Sequence, residues 1–251
     1  MRLLVLPILV PFCTAAVLML APKRPAPQRW ISLAGSLLLL LSAILVFRQV
    51  NTAGVQVVQI GAWTAPFGIT LVADLLAAVL TVAVGVVGTA IALVAFAGVD
   101  PRREAFGYHP LFQILLMGVA GAFLTGDLFN LYVWFEVMLV ASFVLMALNR
   151  TRAQMEAAFK YVTINLIASS IFLTALGLLY GATGTLNMAE LSRIWPNVSS
   201  TGFDTVLAVL FLIAFSIKAG LFPLFFWLPA SYHTPPAAIG AAFAGLLTKV
   251  G

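Results

Sequence analysis

The stretch LVADLLAAVLTVAVGVVGTAIALVAFA (71–97) decides the class of fold. It carries one charged residue, Asp74, close to its start. An α-helix needs about 20 mainly apolar residues to cross the hydrocarbon core of a bilayer, and this run exceeds that length. The stretch therefore predicts a transmembrane helix, and the rest of the chain repeats the pattern.

The composition agrees with a membrane protein and excludes a soluble domain. Of the 251 residues, 63% are hydrophobic and 8% are charged, with a mean hydropathy of +1.10. Soluble domains usually carry about 25% charged residues. The formal net charge of +5 does not indicate nucleic-acid binding, because the basic residues lie mostly in short gaps between apolar runs.

The apolar runs predict an all-α, polytopic transmembrane bundle of about eight helices in one membrane domain, 1–251. Residues 54–70 alternate apolar and polar side chains around Gly61 and are expected to form an extended external hairpin. The last run is short for a full span, so the chain resembles the N-terminal part of a longer protein. We expect the helices near 3–21, 30–47, 71–97, 110–125, 127–148, 157–180, 205–228 and from 235 onward.

Lysine and arginine counts predict the orientation, since cytoplasmic loops of membrane proteins carry an excess of positive charge. The gaps after the first, third and fifth helices hold most of these residues, which places them in the cytoplasm, with the N-terminus outside the plasma membrane. These gaps hold Lys23, Arg24, Arg29, Arg102, Arg103, Arg150, Arg152 and Lys160. The opposite side holds Arg2, Arg48 and Arg193.

Three charged residues fall inside apolar runs: Glu136, Lys218 and Lys249. At 1.5 Å per residue they lie roughly 13 to 20 Å into their helices, in the middle third of the membrane. A lone charge there costs on the order of 2.5–3.5 kcal/mol, so its presence needs a reason. Either the charges form interhelical salt bridges that hold the bundle together, or they form a path for protons or ions.

The seventh helix is predicted to break just after Lys218. Pro223 has no N–H to donate to the carbonyl of Ala219, and Gly220 follows the lysine closely. Broken helices at membrane depth are typical of ion sites, because the freed carbonyls can bind ions or water. An ordinary proline kink is the alternative interpretation.

Several polar residues are weaker candidates for proton uptake or support. Asn165 and Ser169 share a helix face and could line a wet path or simply bond neighbouring helices. His233, in the loop before the last helix, has a side chain that titrates near neutral pH, but it could be merely solvated. Lys160 follows Glu156 by four residues, which also suits a surface ion pair.

Four segments of the second half carry a family resemblance: GDLFNLYVWFEVMLVASF (126–143), AAFKYVTINLIASS (157–170), LYGATGTLNMAEL (179–191) and IKAGLFPLFFWLPASYHTPPAAIGAAFAGLLTKVG (217–251). They resemble the antiporter-like subunits shared by Mrp-type multi-subunit cation/proton antiporters and respiratory complex I, and are most similar to the D-subunit branch of the Mrp antiporters. In complex I relatives a proline often stands where this chain has Ala141, and Ala-Pro-Thr where it has Pro235-Pro236.

The resemblance implies a fold with two inverted repeats, of which residues 110–251 hold the first, incomplete at its end, after N-terminal helices in 1–97. It also implies that Glu136, Lys218 and Lys249 form a proton-transfer chain in a sodium/proton antiporter. Other membrane subunits, the lipid bilayer, protons and Na⁺ are then the partners. A proton-pumping subunit of an NADH–quinone oxidoreductase and a scaffold without transport remain as alternatives. The sequence shows no nucleotide loop, metal cluster or nucleophile–base pair, so we expect no cofactor, metal or catalytic site.

Overall fold

The computed structural model describes residues 2–22, 24–148, 151–198 and 200–251, so Lys23 and Arg150 of the charge count lie outside the described residues. A 3₁₀ turn, Arg2–Val5, precedes the first helix, and a π-helical stretch, Phe243–Leu247, joins the last two. The helices are α1 (Leu6–Leu20), α2 (Pro25–Ala53), α3 (Leu75–Gly98), α4 (Pro101–Ala105), α5 (Tyr108–Leu124), α6 (Leu128–Ala147), α7 (Arg152–Thr183), α8 (Met188–Val198), α9 (Thr201–Ala219), α10 (Trp227–Tyr232), α11 (Ala237–Ala242) and α12 (Thr248–Val250).

The helices confirm the predicted membrane bundle. Among the described residues, six helical segments are long and apolar enough to cross a bilayer: the α1 region, α2, α3, α6, α7 and α9. Two shorter apolar helical stretches, Tyr108–Leu124 and Ala237–Val250, bring the apolar helical segments to the predicted number of about eight. Many of their large apolar side chains face outward, as expected for helices whose solvent is lipid.

Residues between α2 and α3 form the predicted hairpin. Strand β1 (Gln56–Gln59) pairs antiparallel with β2 (Thr70–Ala73). The expected helix start at 71 is wrong, because β2 continues to Ala73 and α3 begins at Leu75. Asp74 caps that helix by accepting a 2.7 Å hydrogen bond from the N–H of Ala77.

The two ends of the bundle differ in their connections. The hairpin end carries the β-hairpin, the Thr125–Asp127 turn between α5 and α6, and the start of α8; Asp127 caps α6 there, as its position before an apolar run suggests. The basic end carries the connections from α1 to α2, from α3 to α5, from α6 to α7 and from α10 to α11. A hydrogen bond from Gln154 to the carbonyl of Thr234 joins two of these connections.

The core lies along the contacts between neighbouring helices. Helix α2 packs on α1 and α3, α5 packs on α1 and α6, and α7 packs on α6 and α9. Helices α2 and α3 approach closely at Gly85, where an added Cβ would lie 2.7 Å from the Cα of Leu40. Small residues at such crossings let membrane helices pack backbone to backbone.

Candidate functional site: a buried lysine beside a broken helix

The helix break predicted from Pro223 is confirmed. Helix α9 ends at Ala219, and Gly220 adopts a left-handed conformation with φ +68°. Helical structure resumes only at Trp227, so the segment predicted as a broken helix over 205–228 consists of two separate helices, α9 and α10. The indole N–H of Trp227 donates a 2.8 Å hydrogen bond to the carbonyl of Ile217, which supplies a partner for a carbonyl at the end of α9.

Lys218 is buried at this break, with 7% of its surface exposed. Its ammonium donates a 3.1 Å hydrogen bond to the hydroxyl of Ser169 on α7. It also lies 4.5 Å from the ring centroid of Phe135 on α6, a distance suited to a cation–π interaction. Within the described part of the chain, no carboxylate lies within 4.0 Å of this ammonium.

A small space of about 20 Å³ adjoins the lysine. A water molecule needs roughly 10–15 Å³ measured in this way, so the space holds about one. Asn165 lines it and donates to the carbonyl of Tyr161, while the Tyr161 hydroxyl shares a 2.7 Å hydrogen bond with Ser142. The residues around the space are Phe135, Met138, Leu139, Tyr161, Asn165, Lys218, Trp227 and Leu247.

Glu136 lies on a different face of α6 from the one that contacts the lysine. Because consecutive helical residues point about 100° apart, Phe135 faces Lys218 while Glu136 faces an apolar groove of about 620 Å³ formed by α1, α5 and α6. One carboxylate oxygen, Oε1, is buried there without a hydrogen-bond partner among the described residues. Glu136 and Lys218 interact electrostatically through space but are not in contact.

The remaining sequence candidates lie outside this buried region. Lys249, on α12, is exposed and donates to the hydroxyl of Thr248, although α12 packs on the end of α9. His233 is exposed at the basic end, with Nδ1 2.7 Å from the carbonyl of Pro229. Lys160 is also exposed and forms a 2.8 Å ion pair with Glu156, which matches the surface-pair interpretation.

Several residues of the site were not among the sequence candidates, notably Phe135, under the lysine, and Tyr161, beside the small space. The position of Phe135 directly before Glu136 was the available signal. However, one aromatic residue in an apolar helix looks like any other until the neighbouring helices are placed. Among the described residues, no three His, Cys, Asp or Glu side chains gather as metal ligands.

The fold and the buried region define a polytopic α-helical membrane protein that holds a cationic side chain beside a broken helix. The chain belongs to the NADH:quinone oxidoreductase/Mrp antiporter transmembrane family, whose model matches residues 125–251. The family resemblance found in the sequence is therefore confirmed.

Relatives named after antiporters and respiratory complexes both match the chain. A protein of Alkalihalophilus pseudofirmus, named as the D subunit of a Na(+)/H(+) antiporter, is 47% identical over 100% of this chain and 51% of its own length. A chain of the Mrp complex from Dietzia sp. DQ12-45-1b superposes with a TM-score of 0.90 at 32% identity, over 100% of this chain and 47% of the other. A chain of the archaeal membrane-bound sulfane sulfur reductase gives 0.89 at 32% identity, over 99% and 50%. The chain thus spans about half the length of these relatives.

Proposed function

We propose that this chain belongs to a proton-translocating subunit of a multi-subunit Mrp-type antiporter that exchanges Na⁺ for protons, and that it is a transporter component and not an enzyme. The observation that carries the proposal is Lys218, a buried cation beside a helix break, which no carboxylate of the described residues contacts. A salt bridge that served only to hold helices together would bring acid and base into contact. The similarity to the Alkalihalophilus pseudofirmus protein supports the choice of cation.

In the proposed mechanism, Lys218 accepts and releases a proton next to Ser169 and the water-sized space by Asn165. Glu136 lies on α6 and interacts electrostatically with Lys218 through space, which couples the charges of the two groups in this mechanism. In this proposal Lys249, on α12 where that helix packs beside the end of α9, is the next member of the row. Neighbouring membrane subunits complete the path, as the Mrp-complex relative suggests.

The test measures dye-monitored proton movement on sodium addition in inverted membrane vesicles that contain the whole complex. Lys218→Met and Glu136→Gln remove the titrating groups at nearly constant volume. We expect exchange to fall roughly 100-fold or more, the range typical of a positioned proton-transfer group, with normal assembly on native gels. Lys249→Met should behave similarly, while Glu136→Asp retains part of the activity because it keeps the charge.

Arg48→Gln provides the matched control, because Arg48 is an exposed cation at the hairpin end. Normal exchange in Glu136→Gln would overturn the mechanism. Loss of assembly together with exchange would favour a purely structural role for the charges.

A redox-driven respiratory complex is the second candidate, supported by the similarity to the sulfane sulfur reductase chain. The two candidates differ in their source of energy. An antiporter moves protons on addition of sodium to vesicles without an electron donor. A respiratory subunit moves them only while electrons flow, so vesicles tested with and without a donor separate the two functions.

The proposed location is the plasma membrane, with the N-terminus outside and the basic end in the cytoplasm. Residue 152, at the start of α7, lies at the basic end. A single cysteine introduced as Arg152→Cys should resist a membrane-impermeant reagent added to intact cells and react in inverted vesicles. Labelling in intact cells would show the opposite orientation.

A further inference from the structure

A buried ionic cluster lies at the basic end, far along the chain from the lysine site. Glu104, on α4, is 3% exposed and receives two hydrogen bonds from Arg29 on α2, at 2.7 and 3.1 Å. His109, in the first turn of α5, is 1% exposed, and its Nε2 lies 3.1 Å from the same carboxylate. Three helices of the N-terminal half therefore meet at one carboxylate.

The carboxylate fixes the tautomer of the neutral imidazole. A carboxylate held by an arginine is charged and can only accept hydrogen bonds, so His109 must present Nε2–H to it. Nδ1 then carries a free lone pair. That atom is buried and has no hydrogen-bond partner among the described residues.

A second unpaired acceptor lies one helical turn further into the membrane. The side-chain amide of Gln113 donates to the carbonyl of Ser32 at 2.9 Å and to the hydroxyl of Ser36 at 3.1 Å. Its Oε1 is left buried and unpaired within the described part of the chain. Residues four apart on a helix are neighbours, so His109 and Gln113 lie on one face of α5. No donor of the described residues bonds to either acceptor.

An ion pair that only ties α4 to α2 explains the Arg29–Glu104 contacts but not these two unpaired acceptors. A proton bound at Nδ1 of His109 supplies the missing donor, and Glu104 is already in place as the counter-charge for the imidazolium. Among the described residues, burial and the charge of Arg29 oppose the imidazolium of His109, and the carboxylate of Glu104 favours it. Helices α1 and α3 contain no charged residue within their ranges, and the one charged residue of α6, Glu136, lies near mid-helix.

We propose that His109 is a proton-binding residue of the transport cycle, loaded at Nδ1 and held in its tautomer by the positioning residue Glu104. Loading forms one N–H bond and turns the imidazole into an imidazolium, and release breaks the same bond, so no electrons are exchanged. Gln113 accepts a hydrogen bond from the loaded ring and leads to the polar row of Ser32 and Ser36 between α2 and α5. This inference rests on the proposed transport function.

The test uses the whole complex in inverted vesicles, with exchange rates measured per assembled complex from about pH 8 down through and below the ordinary histidine interval of about pH 5 to 8. The range extends downward because burial favours the neutral imidazole of His109. His109→Gln keeps an amide donor for Glu104 but cannot bind a proton. We expect its rate to fall roughly 100-fold and the inflection of its pH profile in this range to disappear. Tyr108→Phe, which removes a neighbouring buried hydroxyl and keeps the ring, is the matched control and should behave as the unaltered complex.

An unchanged rate and pH profile in His109→Gln would overturn the proposal. If that variant fails to assemble, Gln113→Leu decides, since it leaves the ion pair intact: a lowered rate supports the proposal, and a normal rate overturns it. The proposed transport function is tested separately by Glu136→Gln. Normal His109→Gln exchange with abolished Glu136→Gln exchange removes this inference alone, whereas normal exchange in Glu136→Gln removes the underlying mechanism.

Discussion

Two glutamates differ in the partners of their carboxylate oxygens. Glu104, in the N-terminal half, has both oxygens bonded to Arg29 and a further contact with His109. Glu136, in the family-matched half, has a buried oxygen without a partner among the described residues. Glu104 is therefore part of an ion pair, whereas no basic group among the described residues contacts Glu136. The N-terminal helices therefore fix a charge in place, and the second half keeps acid and base apart.

The largest effect that this comparison predicts is on stability. Arg29→Ala leaves the buried charge of Glu104 uncompensated, which typically costs about 3–5 kcal/mol, and the partial exposure of Arg29 favours the lower figure. Glu136→Gln removes no ion pair and should leave stability nearly unchanged. The measurement is the free energy of unfolding, or the thermal midpoint, of the purified complex.

The double variant Arg29→Ala with Glu104→Leu provides the control, because it removes both charges together. It should recover most of the lost stability, since a buried pair replaced by apolar groups is often neutral. Equal losses for Arg29→Ala and Glu136→Gln would show that the two glutamates do not differ as described.

The helix break beside Lys218 gives the next largest effect. Gly220 and Gly184 both have left-handed backbone, with φ of +68° and +69°. An added Cβ at Gly220 would collide with the side chain of Leu228, whereas the space at Gly184 is open. Gly184→Ala should cost about 1–2 kcal/mol for backbone alone, and Gly220→Ala about 1–3 kcal/mol more through overpacking. Equal thermal midpoints for the two variants would show that the Leu228 side chain moves aside at little cost in stability.

Much of the fold follows from the sequence because lipid imposes strong rules on it. Long apolar runs must form helices, and Pro223 together with Gly220 favours the interruption of one. The hairpin was also expected from its alternating pattern, although its second strand takes the residues assigned to the start of a helix. That error arose because the apolar residues LVA (71–73) fit the end of a strand as well as the first turn of a helix. The helix cap at Asp74 marks the boundary between the two elements.

The charges were predicted less completely. Depth along each helix gave similar levels for Glu136, Lys218 and Lys249, but depth does not give direction around the helix. In the structure, Lys218 contacts Phe135, while Glu136 faces a different groove and Lys249 is exposed. Arg29 and Glu104 are 75 residues apart in sequence. Their contact depends on the packing of α2 against α4, which no local pattern encodes.

A smaller effect concerns the hydroxyl that bonds Lys218. Ser169→Ala removes a hydrogen bond to a charged group, which is worth about 1.5–3 kcal/mol. Ser170 lies next to it on α7, is exposed, and bonds the carbonyl of Leu166 on its own helix. Ser170→Ala should therefore leave the thermal midpoint unchanged. The difference between the thermal midpoints of the two variants measures how much the hydrogen bond from Lys218 to Ser169 contributes to stability. Equal midpoints would show that this hydrogen bond contributes little.

The smallest effect is expected for the ion pair that lies in water. Glu156 and Lys160 face each other at 2.8 Å on the exposed side of α7, with 63% and 53% of their side chains accessible. Water screens such pairs, and most contribute little to stability. Glu156→Gln and Lys160→Met should therefore change neither the thermal midpoint of the complex nor its rate of sodium-dependent proton movement. A reduced rate in Lys160→Met alone, with unchanged stability and with Glu156→Gln normal, would instead assign Lys160 a part in proton uptake at the basic end. The exposed Lys160 would then share a transport role with the buried Lys218, although its partner Glu156 would have none.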